Sequence, residues 1–400
     1  MATIYMNCTL WHGDDQAAQA NAWFAVADGK ITATGTGKAA QQPGDTIVDL
    51  GGQFVMPGLM NAHVHLSMDP YGATMTNQSE TAVALRAVQN LRLLLHAGVT
   101  TVRDCGCPFN TDIKLKALRP TLGEPLPDIV ASGRPMSMTG GHGDFVEGDN
   151  GETNMSYLVD SPDEMRKAVR TAFKIGADNI KVMATGGVMS PNDQIDDTAL
   201  TVAEMQVATT EAHNKHRTVA AHAQGHKGIQ NALDAGVDSI EHGIYVDSDQ
   251  VAYMAAHDIY LVPTLNAPVA ISRYGRETLP DYMSRKNDQV KDDFFTHLRM
   301  VFQSPVKVVV GTDGGTPFNS FDKGTAEEMA LWVDECGATP RQALLGATKY
   351  ASELLRQTDR GSLTAGQAAD FIVLKADPFQ DIHAVAQVDK GVFKNGQQIQ

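Results

Sequence analysis

Apolar and polar positions follow two patterns along this chain. Residues near both ends read as brief strands broken by tight turns. At the N-terminal end these are Ile4-Tyr5-Met6, Trp23-Phe24-Ala25-Val26, Lys30-Ile31-Thr32-Ala33 and Thr46-Ile47-Val48-Asp49-Leu50. Asp28-Gly29 separates two of them and is a hairpin signal, because a type I′ turn needs two residues that tolerate positive φ. The C-terminal end repeats the style with Phe371-Ile372-Val373-Leu374 and Gly391-Val392-Phe393-Lys394, the latter followed by the turn pair Asn395-Gly396. Neither end is long enough to bury much core by itself. The two are therefore expected to pair into one β-sandwich domain, residues 1–56 plus 360–400, with residues 57–359 inserted between them.

The inserted region alternates strand-length apolar runs with helical periodicity. The runs lie around residues 59–65, 100–104, 128–133, 179–184, 218–223, 239–243, 259–265 and 306–313. A helix is expected over 81–96, and another begins at Ser161-Pro162-Asp163-Glu164, where a serine cap, a first-turn proline and acidic residues coincide. Strands separated by helices must be parallel and joined by right-handed crossovers. Eight such units predict an α/β fold, a closed (β/α)8 TIM-like barrel whose function sits at the C-terminal strand ends. An open doubly wound sheet is the other arrangement with this rhythm, but the glycine-rich phosphate turn it carries after its first strand is missing here.

Composition narrows the function. The chain has 400 residues, and 32 Lys and Arg against 47 Asp and Glu give a formal charge of −15. That balance disfavours nucleic acid and anionic membranes as partners. No apolar run approaches a membrane span and the first residues lack a secretory pattern, so a cytoplasmic protein is expected. The cysteines are Cys8, Cys105, Cys107 and Cys336. Cys105-Gly106-Cys107 has no second pair to complete a metal site, so reduced, buried thiols are expected.

The chemistry begins at Met56-Pro57-Gly58-Leu59-Met60-Asn61-Ala62-His63-Val64-His65. Residues two apart on a strand point the same way, so His63 and His65 can aim two imidazoles at one point. Later strands end in Lys181, His222, His242 and Asp313. On a barrel these ends converge, and four imidazoles with a carboxylate suit zinc or a similar first-row ion. Lys181 lies between Ile180 and Val182 on a strand buried on both faces. An unpaired ammonium is costly there, and burial favours the neutral amine. Such an amine can take up carbon dioxide as a carbamate and become a ligand shared by two ions. The plainer reading pairs Lys181 with a nearby acid such as Glu241.

These motifs resemble those of the amidohydrolase superfamily, in particular the imidazolonepropionase-like branch that includes metal-dependent dipeptidases of the prolidase and Xaa-Arg/Xaa-Lys carboxypeptidase type. The resemblance rests on 56–65, Gly98-Val99-Thr100-Thr101-Val102-Arg103-Asp104, Thr139-Gly140-Gly141-His142-Gly143, Ile180-Lys181-Val182-Met183-Ala184-Thr185-Gly186-Gly187, Ala221-His222-Ala223, Ile240-Glu241-His242-Gly243, Gly311-Thr312-Asp313 and Gly366-Gln367-Ala368-Ala369-Asp370-Phe371. It spans nearly the whole chain. It implies two divalent ions, zinc first, with His63, His65 and Asp313 on one, His222 and His242 on the other, and carboxylated Lys181 and a hydroxide between them. Asn61 departs from the family's usual Asp and touches ligand orientation rather than ligand identity.

The implied reaction is amide hydrolysis by that hydroxide. Asp313 accepts the proton and returns it to the leaving nitrogen, and His142 donates to the carbonyl oxygen as charge develops there. The expected substrates are dipeptides or N-acyl amino acids, Xaa-Pro among them. Gln224, Tyr245 and Arg273, on or after later strand ends, are the candidate substrate contacts. A cyclic-amide or carbamate hydrolase is the alternative enzyme. A barrel that had lost catalysis and served as a scaffold would have lost ligands, and all are present. Homo-oligomers are expected from the relatives.

Overall fold

The computed structural model describes residues 1–72, 78–145 and 154–399. Strands from both chain ends join in one eight-stranded sheet. Its order runs Gln397–Gln398, Gly391–Lys394, Phe371–Leu374, Phe54–Pro57, Thr3–Leu10, Gln19–Ala27 and Lys30–Thr36, with Thr46–Asp49 also paired to Thr3–Leu10. The two ends meet where Phe371 faces Pro57 and Leu374 faces Phe54 in an antiparallel pair. Both predicted hairpins form. Asp28 and Gly29 take φ of 50° and 74°, Asn395 and Gly396 take 49° and 73°, and the flanking pairs Ala27–Lys30 and Lys394–Gln397 close them. Between the strands Tyr5 stacks on Phe24 with ring centroids 4.9 Å apart, and Phe371 stacks on Phe393 at 4.2 Å. Aromatic burial of this kind gives the sheet a small core of its own.

The strand Phe54–Pro57 passes through Gly58 into Leu59–Val64, the first of the parallel strands. Leu59–Val64, Val99–Asp104 and Asp128–Val130 form a three-stranded sheet. Tyr157–Leu158, Met136–Ser137, Asn179–Met183, Thr218–Ala223, Ser239–His242 and Tyr260–Val262 form a six-stranded one. Every pairing in both is parallel. Helices follow the strands, as the patterning predicts. Glu80–His96 lies after the first. Pro162–Ile175 starts at Ser161, whose hydroxyl accepts from the Glu164 amide, and stops at Gly176 with φ 110°.

The expected eighth strand is not a regular one. Residues 306–314 nevertheless lie between Tyr260–Val262 and Leu59–Val64 and bond to both: Val309 N donates to Leu261 O at 2.8 Å, and Ala62 N donates to Val310 O at 2.7 Å. The ladder breaks because Thr312 and Asp313 both donate to the single carbonyl of His63, and Asp313 turns to φ 57°. On the other side, Asp178 and Asn179 both donate to Ala131 O, so that joint is also a single carbonyl rather than a ladder. Leu59–Val64, Val99–Asp104 and Thr218–Ala223 are buried at every residue. Polar side chains on such strands must find partners or a purpose. Among the described residues no helix is long and apolar enough to cross a membrane.

Candidate metal centre

His63 ends the first parallel strand and His65 follows it. Their Nε2 atoms lie 3.4 and 3.1 Å from Asp313 Oδ1. His242, at the end of Ser239–His242, and His222, near the end of Thr218–Ala223, bring their rings to the same space. Ring centroids are 5.0 Å apart for His63 and His242 and 4.7 Å for His222 and His242. Lys181, central in Asn179–Met183, places Nζ 3.4 Å from His63 Nε2. The structure thus gathers every ligand candidate of the sequence in one place. Three non-glycine residues with positive φ stand there: His242 at 69°, Thr264 at 57° and Asp313 at 57°. A β-branched residue such as Thr264 is a genuine outlier in that region, and such strain concentrates at functional sites.

The far side of each ring is fixed by a hydrogen bond. His63 Nδ1 donates to Glu241 Oε2 at 2.6 Å, His65 Nδ1 to Gly106 O at 2.9 Å, and His222 Nε2 to Gly186 O at 2.9 Å. His242 Nδ1 lies 2.7 Å from Thr264 Oγ1. In the neutral ring one nitrogen then carries the proton and the other presents its lone pair inward. Burial, reinforced by neighbouring cationic groups such as Lys181, holds His63, His222 and His242 well below the ordinary imidazole range. Burial pushes the Asp313 carboxyl up, but its close contact with His65 and the cationic charge around it, Lys181 included, win and hold it below its usual range. Lone-pair imidazoles and an ionised carboxylate are the protonation states that bind metal.

Glu241 resolves the sequence alternative for Lys181. Its carboxylate accepts from Arg103 Nη2 at 2.7 Å, Ser239 Oγ at 2.5 Å and His63 Nδ1. Arg103 is wholly buried, and its Nε donates to Ala62 O. With Glu241 engaged there, Lys181 forms no salt bridge among the described residues and touches a ring nitrogen instead. His63, His65 and Asp313 present ligand atoms within 4.8 Å of one another. Buried lone-pair donors, an anionic oxygen and an amine without a carboxylate partner fit a divalent-metal site. His63, Cys105 and Glu241 also cluster. There, burial chiefly pushes the Cys105 thiol up to about 12 and Glu241 is bound to Arg103, so that group does not fit an ion. All four cysteines are free and buried, as expected.

Asn61 bridges two segments that carry candidate ligands. Its amide donates to Thr312 Oγ1 at 2.9 Å and Thr325 Oγ1 at 3.0 Å, and its oxygen accepts from His63 N at 3.1 Å. Two ligand-bearing segments are thereby tied to one side chain.

A cavity of about 820 Å3, counting its mouth, opens over this centre. Its floor is polar. Its walls are apolar, with Met68, Met155, Met183, Ile271, Val290 and Phe294 among them. His142 lines it, and its ring stacks on that of His222 at 4.4 Å and 17°. Gln224 lines it too, and its Oε1 is buried without a partner. Tyr245 and Arg273 are not among its lining residues. Tyr245 lines a neighbouring groove, where its hydroxyl reaches Gln289 O at 3.5 Å. Arg273 is exposed in an outer groove, because two helical positions beyond the cavity-facing Ile271 is roughly the opposite side of the helix at 3.6 residues per turn. Sequence reasoning missed the cavity wall on helix Asp281–Phe302, together with Asp193 and Lys286 beside His142. No periodic signal marks the loop that carries Asp193.

The model of the amidohydrolase family matches residues 54–399. Ochratoxinase of Aspergillus niger is 30% identical over 371 residues, covering 84% of this chain and 74% of that protein. A crystal structure of a Xaa-Pro dipeptidase with bound methionine in the active site superposes with a TM-score of 0.91 at 28% identity, covering 100% of both chains. A prolidase complexed with N-methylphosphonate-L-proline gives 0.89 at 27% identity, again over 100% of both.

Proposed function

The chain belongs to the amidohydrolase family, and from that premise we propose that it is a two-metal hydrolase cleaving the amide bond of dipeptides or N-acyl amino acids. The hydrolysis of C–N bonds follows from the family. The substrate class is our reading, supported by a dipeptidase and a prolidase at TM-scores of 0.91 and 0.89. We read the parallel strands as a (β/α)8 barrel, residues 57–359, and the paired ends, 1–56 and 360–400, as a second domain.

The observation that carries the proposal is the convergence of four buried imidazoles, Asp313 and an amine whose alternative acid is already bound to Arg103. We assign His63, His65 and Asp313 to one ion and His222 and His242 to the other. Lys181, if carboxylated, would contribute an oxygen donor to this centre, and zinc is the first candidate. Divalent ions held there would polarise the scissile carbonyl and make water acidic enough to attack at neutral pH. Asp313 is the proton carrier: its carboxylate takes a proton from the attacking water and returns it to the departing nitrogen. His142 keeps Nε2 for the cavity and, in its doubly protonated form, donates from it to the carbonyl oxygen as negative charge grows there. The methionine, isoleucine and phenylalanine walls exclude water and accept an apolar side chain. Among the described lining residues Asp313 is the one acidic side chain, and it sits against the imidazoles, which favours apolar dipeptides and N-acyl amino acids over Xaa-Arg or Xaa-Lys.

Elemental analysis of the purified protein, run beside a panel of Xaa-Pro, Xaa-Arg, Xaa-Lys and hydrophobic dipeptides and N-acyl amino acids, tests this reading. About two ions per chain with turnover of apolar members supports it. One ion, or turnover confined to cyclic amides or carbamates, overturns it.

A further inference from the structure

We propose that Asp193 and Lys286 are positioning residues that set the ring of His142 over the site, a role that rests on the hydrolytic reading above. Asp193 is 5% exposed and Lys286 is 3% exposed, so both charges are paired inside the protein. The two oxygens of Asp193 do different work. Oδ2 accepts from His142 Nδ1 at 3.2 Å. Oδ1 accepts from Gly187 N at 3.1 Å and from Lys286 Nζ at 3.1 Å. Lys286 spends its other donors on the carbonyls of Gly187 at 3.0 Å and Ser190 at 2.7 Å. A carboxylate held this way is an acceptor only, so Nδ1 of His142 carries a proton, and Nε2 faces the cavity and donates there when the ring takes up a second proton, a cation that the same carboxylate stabilises.

The ring has little freedom to turn away. A Cβ at Gly187 would stand 2.6 Å from His142 Cε1, and the ring is stacked on that of His222. Lys286 belongs to helix Asp281–Phe302, the helix that also supplies Val290 and Phe294 to the cavity wall. Tyr282 of the same helix donates to Met189 O at 3.2 Å. One helix therefore places both the apolar wall and, through Lys286 and Asp193, the proton donor. A group fixed by an outer partner reacts from a single pose, and losing that partner typically costs about 10–100-fold in activity.

The test is a double-mutant cycle with an independent spectroscopic reading. Asp193→Ala is expected to lower kcat roughly 10–100-fold with KM within about threefold, at unchanged metal content. In a His142→Asn background the same change is expected to cost nothing more, because Asp193 acts through His142. Losses that multiply in the double variant overturn the proposal. The second reading needs no turnover. Long-range 1H–15N spectra of the 15N-histidine-labelled protein, with His142 assigned by its absence in His142→Asn, are expected to show one tautomer in the wild type. Averaged shifts are expected in Asp193→Ala and in Lys286→Met. Identical spectra overturn the proposal. Asp193→Asn keeps the shape should Asp193→Ala fold poorly, and it is expected to disturb the His142 tautomer through its amide. A wild type that hydrolyses no amide refutes the functional reading, while the spectra still decide whether Asp193 fixes the ring.

Discussion

Replacing Glu241 by Gln separates the two jobs of the buried ion pair beneath His63. The wild-type carboxylate is fully buried and accepts from Arg103, His63 and Ser239 at 2.5–2.7 Å. The amide keeps the shape but removes the charge, leaving the Arg103 guanidinium buried and uncompensated. Breaking one partner of such a pair costs about 3–5 kcal/mol. An unfolding entropy near 2.1 cal/mol/K per residue gives about 0.84 kcal/mol/K for 400 residues, so Tm of the chelated protein is expected to fall by about 4–6 °C. Glu241 also fixes the His63 ring, and loss of such a partner lowers metal affinity about 10–100-fold. Scanning calorimetry in chelator reads the first effect, and competition titration with a metal indicator reads the second. An Arg103→Met, Glu241→Gln double variant removes both charges and is expected to recover most of the lost Tm while keeping the weak metal binding. A Glu241→Gln protein that melts within about 1 °C of wild type and binds metal as tightly refutes the reasoning, since neither the 3–5 kcal/mol nor the orientation effect would then exist.

Three further outcomes follow. Lys181→Ala is expected to lose at least about 10²-fold in kcat/KM and to drop below two ions per chain, with partial rescue by added acetate or propionate; elemental analysis and rate measurements check both. His142→Asn should lower kcat about 10²–10⁴-fold at unchanged metal content, and wild-type turnover would remove it from the mechanism. Glu328 supplies a pH test. Its carboxylate accepts from Leu265 N, Asn266 N and Trp332 Nε1, and burial pushes it up from 4.5 to about 7. The folded state therefore binds more protons than the unfolded one between pH 4.5 and 7, so stability from this group falls as pH rises through that window. The stability gap between wild type and Glu328→Gln is expected to narrow by about 3 kcal/mol from pH 4.5 to 7, read by denaturant titration at each pH.

Much of this protein was legible locally. Asp28-Gly29 and Asn395-Gly396 specify hairpins because only a few residues tolerate two successive positive φ angles. Ser161 and Pro162 mark the start of a helix through its unpaired end groups. His63 and His65 share a direction because a strand repeats every two residues. The parallel strands fall close to where the apolar runs put them, and the strand-end polar residues meet because parallel strands bring their C-terminal ends to one edge. What is nearest in sequence is what periodicity can reach.

The rest depended on groups far apart along the chain. Glu241 could have paired with Lys181 or with Arg103, and only packing decides, because both cations lie on buried strands and Arg103 alone meets it with a guanidinium fork. Lys286 and Asp193 are separated by 93 positions, and each alone reads as a surface charge. Arg273 and Tyr245 follow strand ends, but Arg273 sits on a helix that rotates 100° per residue, so a small phase error moves it out of the cavity, and Tyr245 lies in a turn that lines a neighbouring groove. The irregular eighth segment arises because His63 O serves two amides at once, a choice made by the Asp313 turn rather than by its apolar run. The sequence by itself determined most of the elements, their parallel order and the candidate ligands, because those rest on short-range periodicity. Tertiary structure alone decided which buried charges neutralise one another and which amine is left facing the imidazoles, because the energy of a buried charge depends on what stands within a few ångströms of it and not on its neighbours in the chain.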